Sequence, residues 1–256
     1  MTLTIDHTAV PTPAFPAVTL CELDAQAALQ TRVDRKYLIR IADVSRVLAA
    51  LPSGTRALEI DGRRSFGYES TYFDTPDLRC YHDAARRRRH RFKVRTRLYA
   101  DSGLCRLEVK TRDGRRRTVK SRLDYEASDR HLLTPDGRRL VADATGTSHW
   151  ADVLRPSSVT RYRRTTLALP NEQTRVTVDV GLAVSLPGRS AVPIDGLAIV
   201  ETKGGHGPTG ADRALWVLGH RPSRVSKYGT GLALLRPDLP SNKWHRTLRH
   251  IHEEMT

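Results

Sequence analysis

The chain reads as an α+β fold: an antiparallel β-barrel of roughly eight strands, with helices flanking its outer side. Three observations predict it. In the stretch 89–97 every odd position is cationic (Arg89, Arg91, Lys93, Arg95, Arg97), whereas Phe92, Val94, Thr96 and Leu98 are apolar or β-branched. A strand sends alternate side chains to opposite faces, so one face here is wholly cationic and the other apolar. The pattern recurs twice. Arg106, Glu108, Lys110 and Arg112 alternate with Cys105, Leu107, Val109 and Thr111, and Arg116, Thr118, Lys120 and Arg122 alternate with Arg117, Val119, Ser121 and Leu123. The joining segments, Ala100–Gly103 and Asp113–Gly114, are short and carry hairpin residues. Finally, the other strands come mostly in hairpin order with helices between them. Such a sheet satisfies both faces by closing, apolar side out against helices and charged side in around a lumen.

Taken in order, residues 1–19 hold Pro11, Pro13 and Pro16 and read as a disordered or loosely docked tail. A short helix is expected over 20–30. The first strand follows at 32–39, with Arg32, Asp34 and Lys36 on one face and Val33, Tyr37 and Ile39 on the other. The stretch 42–51 is helical and ends before Pro52 and Gly54. A second strand covers 66–73 and stops at Asp74-Thr75-Pro76-Asp77, turn or helix-entry chemistry, before a basic helix or loop over 78–88. After the cationic strands, 128–144 has helical spacing, with Pro135 and Gly137 as interruptions. A hairpin of 160–169 and 175–180 turns at Pro170-Asn171-Glu172-Gln173, and 197–203 is a further strand with Glu201 and Lys203 on one side. Helices over 211–219 and 226–235 follow, the second with Ser226 as N-cap, and 241–256 is a tail or terminal helix.

Composition narrows the function. The 256 residues suit one domain, or one domain with a small annex; 43 Lys and Arg face 28 Asp and Glu, a net charge of +15, so an anionic partner is implied. Cys21, Cys80 and Cys105 have no disulfide or CxxC spacing, which makes a reducing cytoplasm the expectation. No apolar run spans a bilayer and 1–20 lacks a signal-peptide pattern, so no transmembrane segment is expected. The chain has no GxxxxGK[ST], no HExxH or Cys/His cluster and no GxSxG, which disfavours P-loop, zinc and serine-hydrolase chemistry. Gly204-Gly205-His206-Gly207 reads as a mobile loop. Aromatics do not interleave with the cationic strands as base stacking requires, so nucleic acid is disfavoured as the main ligand.

Three adjacent cationic strands repel one another: two like charges about 4 Å apart cost roughly 1 kcal/mol in water and more where solvent is thin. A solvated outer face is one reading. A concavity that holds a polyanion is the other, and the density and regularity of the pattern favour it. Lys and Arg suit phosphate oxygens, and Glu108, Asp179 and Glu201 are the outliers among them. Glu108 reads as a neutralising ion-pair partner and Glu201 as a ligand for a divalent metal on phosphate. The Arg86–Arg89 run reads as a solvated patch or a steering element at a mouth.

Several short motifs occur in one order: Arg35-Lys36-Tyr37-Leu38, Tyr72-Phe73-Asp74-Thr75-Pro76, Lys93-Val94-Arg95-Thr96-Arg97 and Leu107-Glu108-Val109-Lys110. Val119-Lys120-Ser121-Arg122, Tyr162-Arg163-Arg164-Thr165, Val178-Asp179, Glu201-Thr202-Lys203 and Ser226-Lys227-Tyr228 complete it. On these residues the chain, over about 22–236, resembles the VTC domain family. This is the polyphosphate polymerase domain of vacuolar transporter chaperones and its bacterial relatives, within the CYTH / triphosphate tunnel metalloenzyme superfamily.

The resemblance implies an eight-stranded triphosphate tunnel domain over 20–240 and transfer of the γ-phosphoryl of ATP to a growing polyphosphate chain. Mn²⁺ or Mg²⁺ would be the cofactor, ATP and polyphosphate the partners. Phosphate-binding positions carried over are Lys36, Arg95, Arg97, Lys110, Lys120, Arg164 and Lys227, with Arg175 as a further candidate. Lys227, Arg164 and Lys36 would be catalytic, and Glu201 the metal ligand. The superfamily's opening Glu-x-Glu-x-Lys strand is here Arg32-x-Asp34-x-Lys36, one carboxylate fewer, which fits a polymerase better than a two-metal hydrolase. A metal-dependent tri- or polyphosphatase and a non-catalytic polyphosphate-binding module remain the alternatives, and oligomeric state and any membrane partner stay open.

Overall fold

The computed structural model describes Val10 and residues 15–26, 33–112 and 118–255. The chain opens with strand β1 (Ala17–Val18) and helix α1 (Leu20–Gln26), and β2 (Val33–Arg40) runs directly into α2 (Ile41–Ala49). Then β3 (Arg56–Leu58), β4 (Ser65–Asp74) and α3 (Arg79–Ala85) lead to the cationic strands β5 (Arg91–Tyr99), β6 (Cys105–Arg112) and β7 (Thr118–Tyr125). Helices α4 (Pro135–Thr145) and α5 (Ser148–Val153) precede a long hairpin, β8 (Arg155–Leu169) and β9 (Thr174–Ser185). The remainder is β10 (Val192–Ile194), β11 (Leu197–Gly204), α6 (Gly210–Val217), α7 (Lys227–Leu235) and α8 (His245–Met255).

The sheet corrects the expected closed eight-stranded barrel: among the described residues it has eleven strands and stays open. Its main path is β2-β11-β9-β8-β4-β5-β6-β7, with β1 on β3, β3 on β8 and β10 on β9. The added strands are two or three residues long, too short to give an alternation signal. The edges β2 and β7 do not pair with each other. Both carry cations on the inner face, Lys36 on one and Lys120 on the other, and charged edge strands resist joining. The sheet nevertheless curls enough for these two side chains to line one cavity.

Outside the curl, apolar faces are covered by helices. Val176, Val178, Ala198 and Val200 of β9 and β11 pack with Val44, Val47 and Leu48 of α2 and with Ala211 and Leu215 of α6. On the other flank Val94, Leu107 and Val109 of β5 and β6 pack with Cys80 and Tyr81 of α3 and Val141 of α4. Each large side chain so buried contributes roughly 1.5–3 kcal/mol. Inside the curl, one end is filled by Leu182, Val184 and Ile199 against Val225 and Ile251. There α7 sits as a plug, seated closely because a Cβ on Gly231 would lie 2.8 Å from Val184.

Smaller differences have local causes. Pro135 does not interrupt α4 but starts it, with the Thr134 hydroxyl accepting from Gly137 N, because the first helical position needs no N–H partner. Within the predicted tail, Ala17–Val18 pairs in parallel with Ala57–Leu58, and Phe15 packs on the core. The 241–256 segment includes α8, which buries Leu248 and Ile251, while Glu254 accepts from Arg40 at 2.7 Å. Arg32, Arg116, Arg117, the Asp113–Gly114 turn, residues 27–30 and most of the predicted tail lie outside the described residues. No helix among the described residues is long and apolar enough to cross a membrane.

Candidate functional site

Strand alternation builds the site. On β5, Lys93, Arg95 and Arg97 share the inner face, and antiparallel pairing sets Lys93 opposite Lys110 and Arg95 opposite Glu108 on β6. Lys120 of β7 lies opposite Lys110. Across the curl, β11 and β2 bring Glu201 opposite Lys36 and Lys203 opposite Asp34. With Arg164 of β8 and Lys227 at the start of α7, these side chains line a cavity of about 380 Å³. Its lining holds nine Lys and Arg side chains against three carboxylates.

Three carboxylates in and beneath the cavity, Glu108, Asp179 and Glu201, are clasped by cations. Glu108, 3% exposed, accepts from Arg95 at 2.6 Å and from Lys120, with Arg122 at 3.8 Å. Asp179, fully buried behind the wall, receives Arg164 through two bonds of 2.6 and 2.8 Å and also receives Lys227. Glu201 pairs with Lys203 at 2.7 Å and has Lys36 at 4.0 Å. Burial alone pushes all three carboxyls up, but the neighbouring cations outweigh it and hold each well below the ordinary range. The lysines show the converse: burial brings Lys120 and Lys203 down to about 8 despite their acidic partners, and lowers Lys110 as well.

Tyrosines from strands beside the cationic ones complete the wall. Lys93 lies 4.4 Å over the Tyr72 ring, Arg97 5.5 Å over Tyr68, and Lys227 4.3 Å over Tyr162. The rings come from β4 and β8 and these cations from β5 and α7; only Arg164, 5.3 Å over Tyr162, shares a strand with its ring among the cavity's cation–ring pairs. Their role here is cation–π support rather than base stacking. Burial opposes a Tyr72 phenolate, yet Lys93, Arg95 and Arg97 together draw the phenol below its usual value.

Other motif residues form the frame. Asp74 accepts backbone N–H groups of Thr75, Cys80 and Tyr81 at 2.7–2.9 Å and the hydroxyl of Tyr228, so it ties the start of α3 to α7 beside Lys227. The Ser226 hydroxyl caps α7, accepting from Gly229 N at 3.1 Å. On the outer face Asp212 of α6 accepts from Tyr37 at 2.7 Å, Thr202 at 2.6 Å and Arg35 at 3.2 Å, fastening β2 and β11 with Lys36 and Glu201 pointing inward.

Of the residues singled out from sequence, Lys36, Arg95, Arg97 and Lys110 line the cavity, as do Lys120, Arg164, Glu201 and Lys227. Arg175 does not: its guanidinium donates to Leu23 O at 2.8 Å and pairs with Asp24 at 3.3 Å. Lys93, Lys203, Asp34, Tyr72 and Tyr162 line it too and were not singled out as site residues. Alternation with Arg95, Glu201 and Arg164 signals Lys93, Lys203 and Tyr162; nothing local signals Tyr72. Among the described residues no three His, Cys, Asp or Glu side chains converge as a ready metal cage. Glu201 and Asp34 are the oxygen donors on one wall, a set that suits Mg²⁺ or Mn²⁺ when phosphate and water supply the remaining ligands.

Comparison with solved structures shows the same fold. A candidate adenylate cyclase from Bacillus halodurans aligns at TM-score 0.50 and 12% identity, over 76% of this chain and 93% of that one. A candidate adenylyl cyclase from Hippeastrum, whose structure is described as revealing a dominant triphosphatase activity, aligns at TM-score 0.50 and 15% identity, over 83% of this chain and 100% of that one. No match is found among curated proteins. The VTC domain model matches residues 31–236, most of the chain and nearly the whole curled sheet, and the chain therefore belongs to the VTC domain family.

Proposed function

We propose that the protein is an ATP-dependent polyphosphate polymerase, which moves the γ-phosphoryl of ATP onto a phosphate or growing polyphosphate chain held in the cavity. The observation that carries this reading is the cavity lining, nine cations to three carboxylates on the strands and the start of α7. Phosphoryl transfer needs little covalent chemistry from a protein; alignment and neutralisation of the phosphate oxygens do most of the work. Arg95, Arg97 and Arg164 offer planar donor pairs to those oxygens, while Lys36, Lys110, Lys120 and Lys227 act as point charges.

The cation-clasped carboxylates Glu108, Asp179 and Glu201 support transfer to phosphate as the acceptor. Hydrolysis calls for a base to activate water, and Glu108, Asp179 and Glu201 are all held well below the ordinary carboxylate range, which makes them weak bases. A phosphate acceptor is already anionic and needs no such base. Lys227, Arg164 and Lys36 are the catalytic candidates, reaching the terminal phosphoryl from the wall and from the start of α7. Glu201 would hold a divalent ion, which supplies further charge neutralisation on the triphosphate when bound.

A metal-dependent tri- or polyphosphatase is the second reading, favoured by Asp34 standing in the same lining as Glu201. Incubation with ATP and Mn²⁺ or Mg²⁺ separates the two. Polymerase activity releases ADP together with acid-insoluble polyphosphate; orthophosphate from tripolyphosphate without chain growth supports the hydrolase. Salt-sensitive binding without turnover under either metal leaves a binding module.

A further inference from the structure

The cationic ladder does not stop at the cavity. Lys93 and Lys110 are cross-strand partners on its wall, and the next pair on the same face is Arg91 and Arg112. Two residues of strand are about 6.6 Å, so this pair stands one step beyond the cavity, where α3 ends. Arg87, just after α3, and Lys243, just before α8, reach the same place: burial and then the charges of Arg91, Arg87 and Arg112 act on Lys243 and bring it down to about 8. Backbone carbonyls fix two of the four. Arg91 Nη1 donates to Arg88 O at 2.5 Å and Lys243 Nζ to Ala84 O at 2.6 Å. The loop itself is pinned by Arg88 N donating to Asp83 O at 2.9 Å.

This cluster differs from those in the cavity because, among the described residues, no carboxylate is clasped within it. The carboxylate that acts on Arg91 is Asp83, and Arg79 occupies it at 2.8 Å. Among the described residues no carboxylate pairs with Arg87, Arg91, Arg112 or Lys243. Arg112 Nε is buried and has no hydrogen-bond partner. Four cations held together, half-buried or exposed and with no described carboxylate paired to them, suit an external anion. The nearby ring, Trp244, is 1% exposed and cannot stack a base, and the cations continue the strand spacing of the cavity wall. Both facts favour a linear phosphate chain over nucleic acid.

We propose that Arg87, Arg91, Arg112 and Lys243 form a second anion-binding subsite at the mouth of the bore, which takes the trailing phosphates of a linear polyphosphate too long for the cavity alone. The inference rests on the reading of the cavity as a phosphate site and adds chain-length selectivity to it. A tripolyphosphate is held by the cavity groups, whereas a longer chain gains the mouth as well.

The test compares tripolyphosphate with a linear polyphosphate of about 15 units, long enough to pass the roughly 20 Å from Arg97 to Arg91, in titrations at fixed salt. The proteins are the full chain, the double variant Arg87→Ala/Lys243→Ala, and Arg87→Glu, which changes only an exposed side chain. The long chain is expected to bind roughly tenfold more weakly to the double variant, with tripolyphosphate within about twofold of the unmodified protein. Unchanged long-chain binding, or equal loss for both probes, overturns the subsite and leaves the cavity reading standing. Failure of the unmodified protein to bind tripolyphosphate overturns the cavity reading, whereas long-chain loss in the variants still supports the mouth. Charge-matched single-stranded DNA that binds as tightly, with the same loss in the variants, overturns polyphosphate as the occupant.

Discussion

Replacing Asp179 with Asn removes one negative charge from beneath the cavity without changing its volume. Asp179 is fully buried and holds Arg164 by two bonds of 2.6 and 2.8 Å as well as Lys227. In the variant, two cations remain in the wall with no counter-charge between them, and the amide presents a donor to at least one. Breaking a buried pair in this way costs about 3–5 kcal/mol. Domain stabilities are about 5–15 kcal/mol, so the loss is a large share of the total. Urea unfolding followed by tryptophan fluorescence reads it; with a slope of about 2–3 kcal/mol per molar, the midpoint falls by about 1–2 M. Added tripolyphosphate returns negative charge to Arg164 and Lys227, so it raises the midpoint of Asp179→Asn more than that of the unmodified protein. A loss below about 1 kcal/mol, the value of an exposed pair, would falsify the buried-triad account, because solvent would then already screen both cations.

Glu201→Gln is expected to lower metal-dependent turnover by at least about a hundredfold while metal-free tripolyphosphate binds as well or better, since a negative charge leaves the wall; equal loss of both in turnover assays and calorimetry refutes a metal-holding role. Lys120 and Lys203, brought to about 8 by burial, lose charge as pH rises through that value, so affinity for tripolyphosphate falls above it. A bound anion restores the charge, and binding near pH 8 therefore takes up protons, read as a dependence of the calorimetric heat on the buffer's ionisation enthalpy. Proton release would contradict the assignment. In Gly229→Ala the new Cβ would lie 2.3 Å from the Trp244 ring. Overpacking of this kind costs about 1–3 kcal/mol, and the shift of α7 that relieves it displaces Lys227, so both melting temperature and kcat fall. A variant with lowered stability but unchanged kcat separates α7 placement from catalysis.

What was legible in the sequence was the face on which a side chain points; depth along the bore was not. A cation at every second position marks Arg95 and Lys110 as neighbours on one wall without any knowledge of the fold. The same rule sets Arg175 on a face with Asp179, yet Arg175 lies four residues nearer the strand's end, where α1 meets it instead of the cavity. The clasp of Arg164 on Asp179 depends on the β8–β9 register, which includes an irregularity between Arg161 and Arg163 that periodicity does not reveal. Tyr68 and Tyr72 serve cations on other elements, a non-local relation. The open seam is likewise non-local: closure depends on whether β2 and β7 meet, and each of them taken alone looks like a strand that could.

That seam changes what a bound chain does mechanically. A hydrogen-bonded barrel keeps its bore by backbone alone. Here the lips of the sheet face each other across side chains, with Lys110 feeling Asp34 and Lys36 of the far edge. No backbone ladder sets the gap, so its width answers to the balance of charge across it. An anion that touches Lys36 on one lip and Lys120 on the other is a rivet between two unjoined margins. Its affinity then appears directly as stability of the sheet, growing as RT ln(1 + [L]/Kd). The cargo is thus also a fastener, and an emptied protein is the looser one.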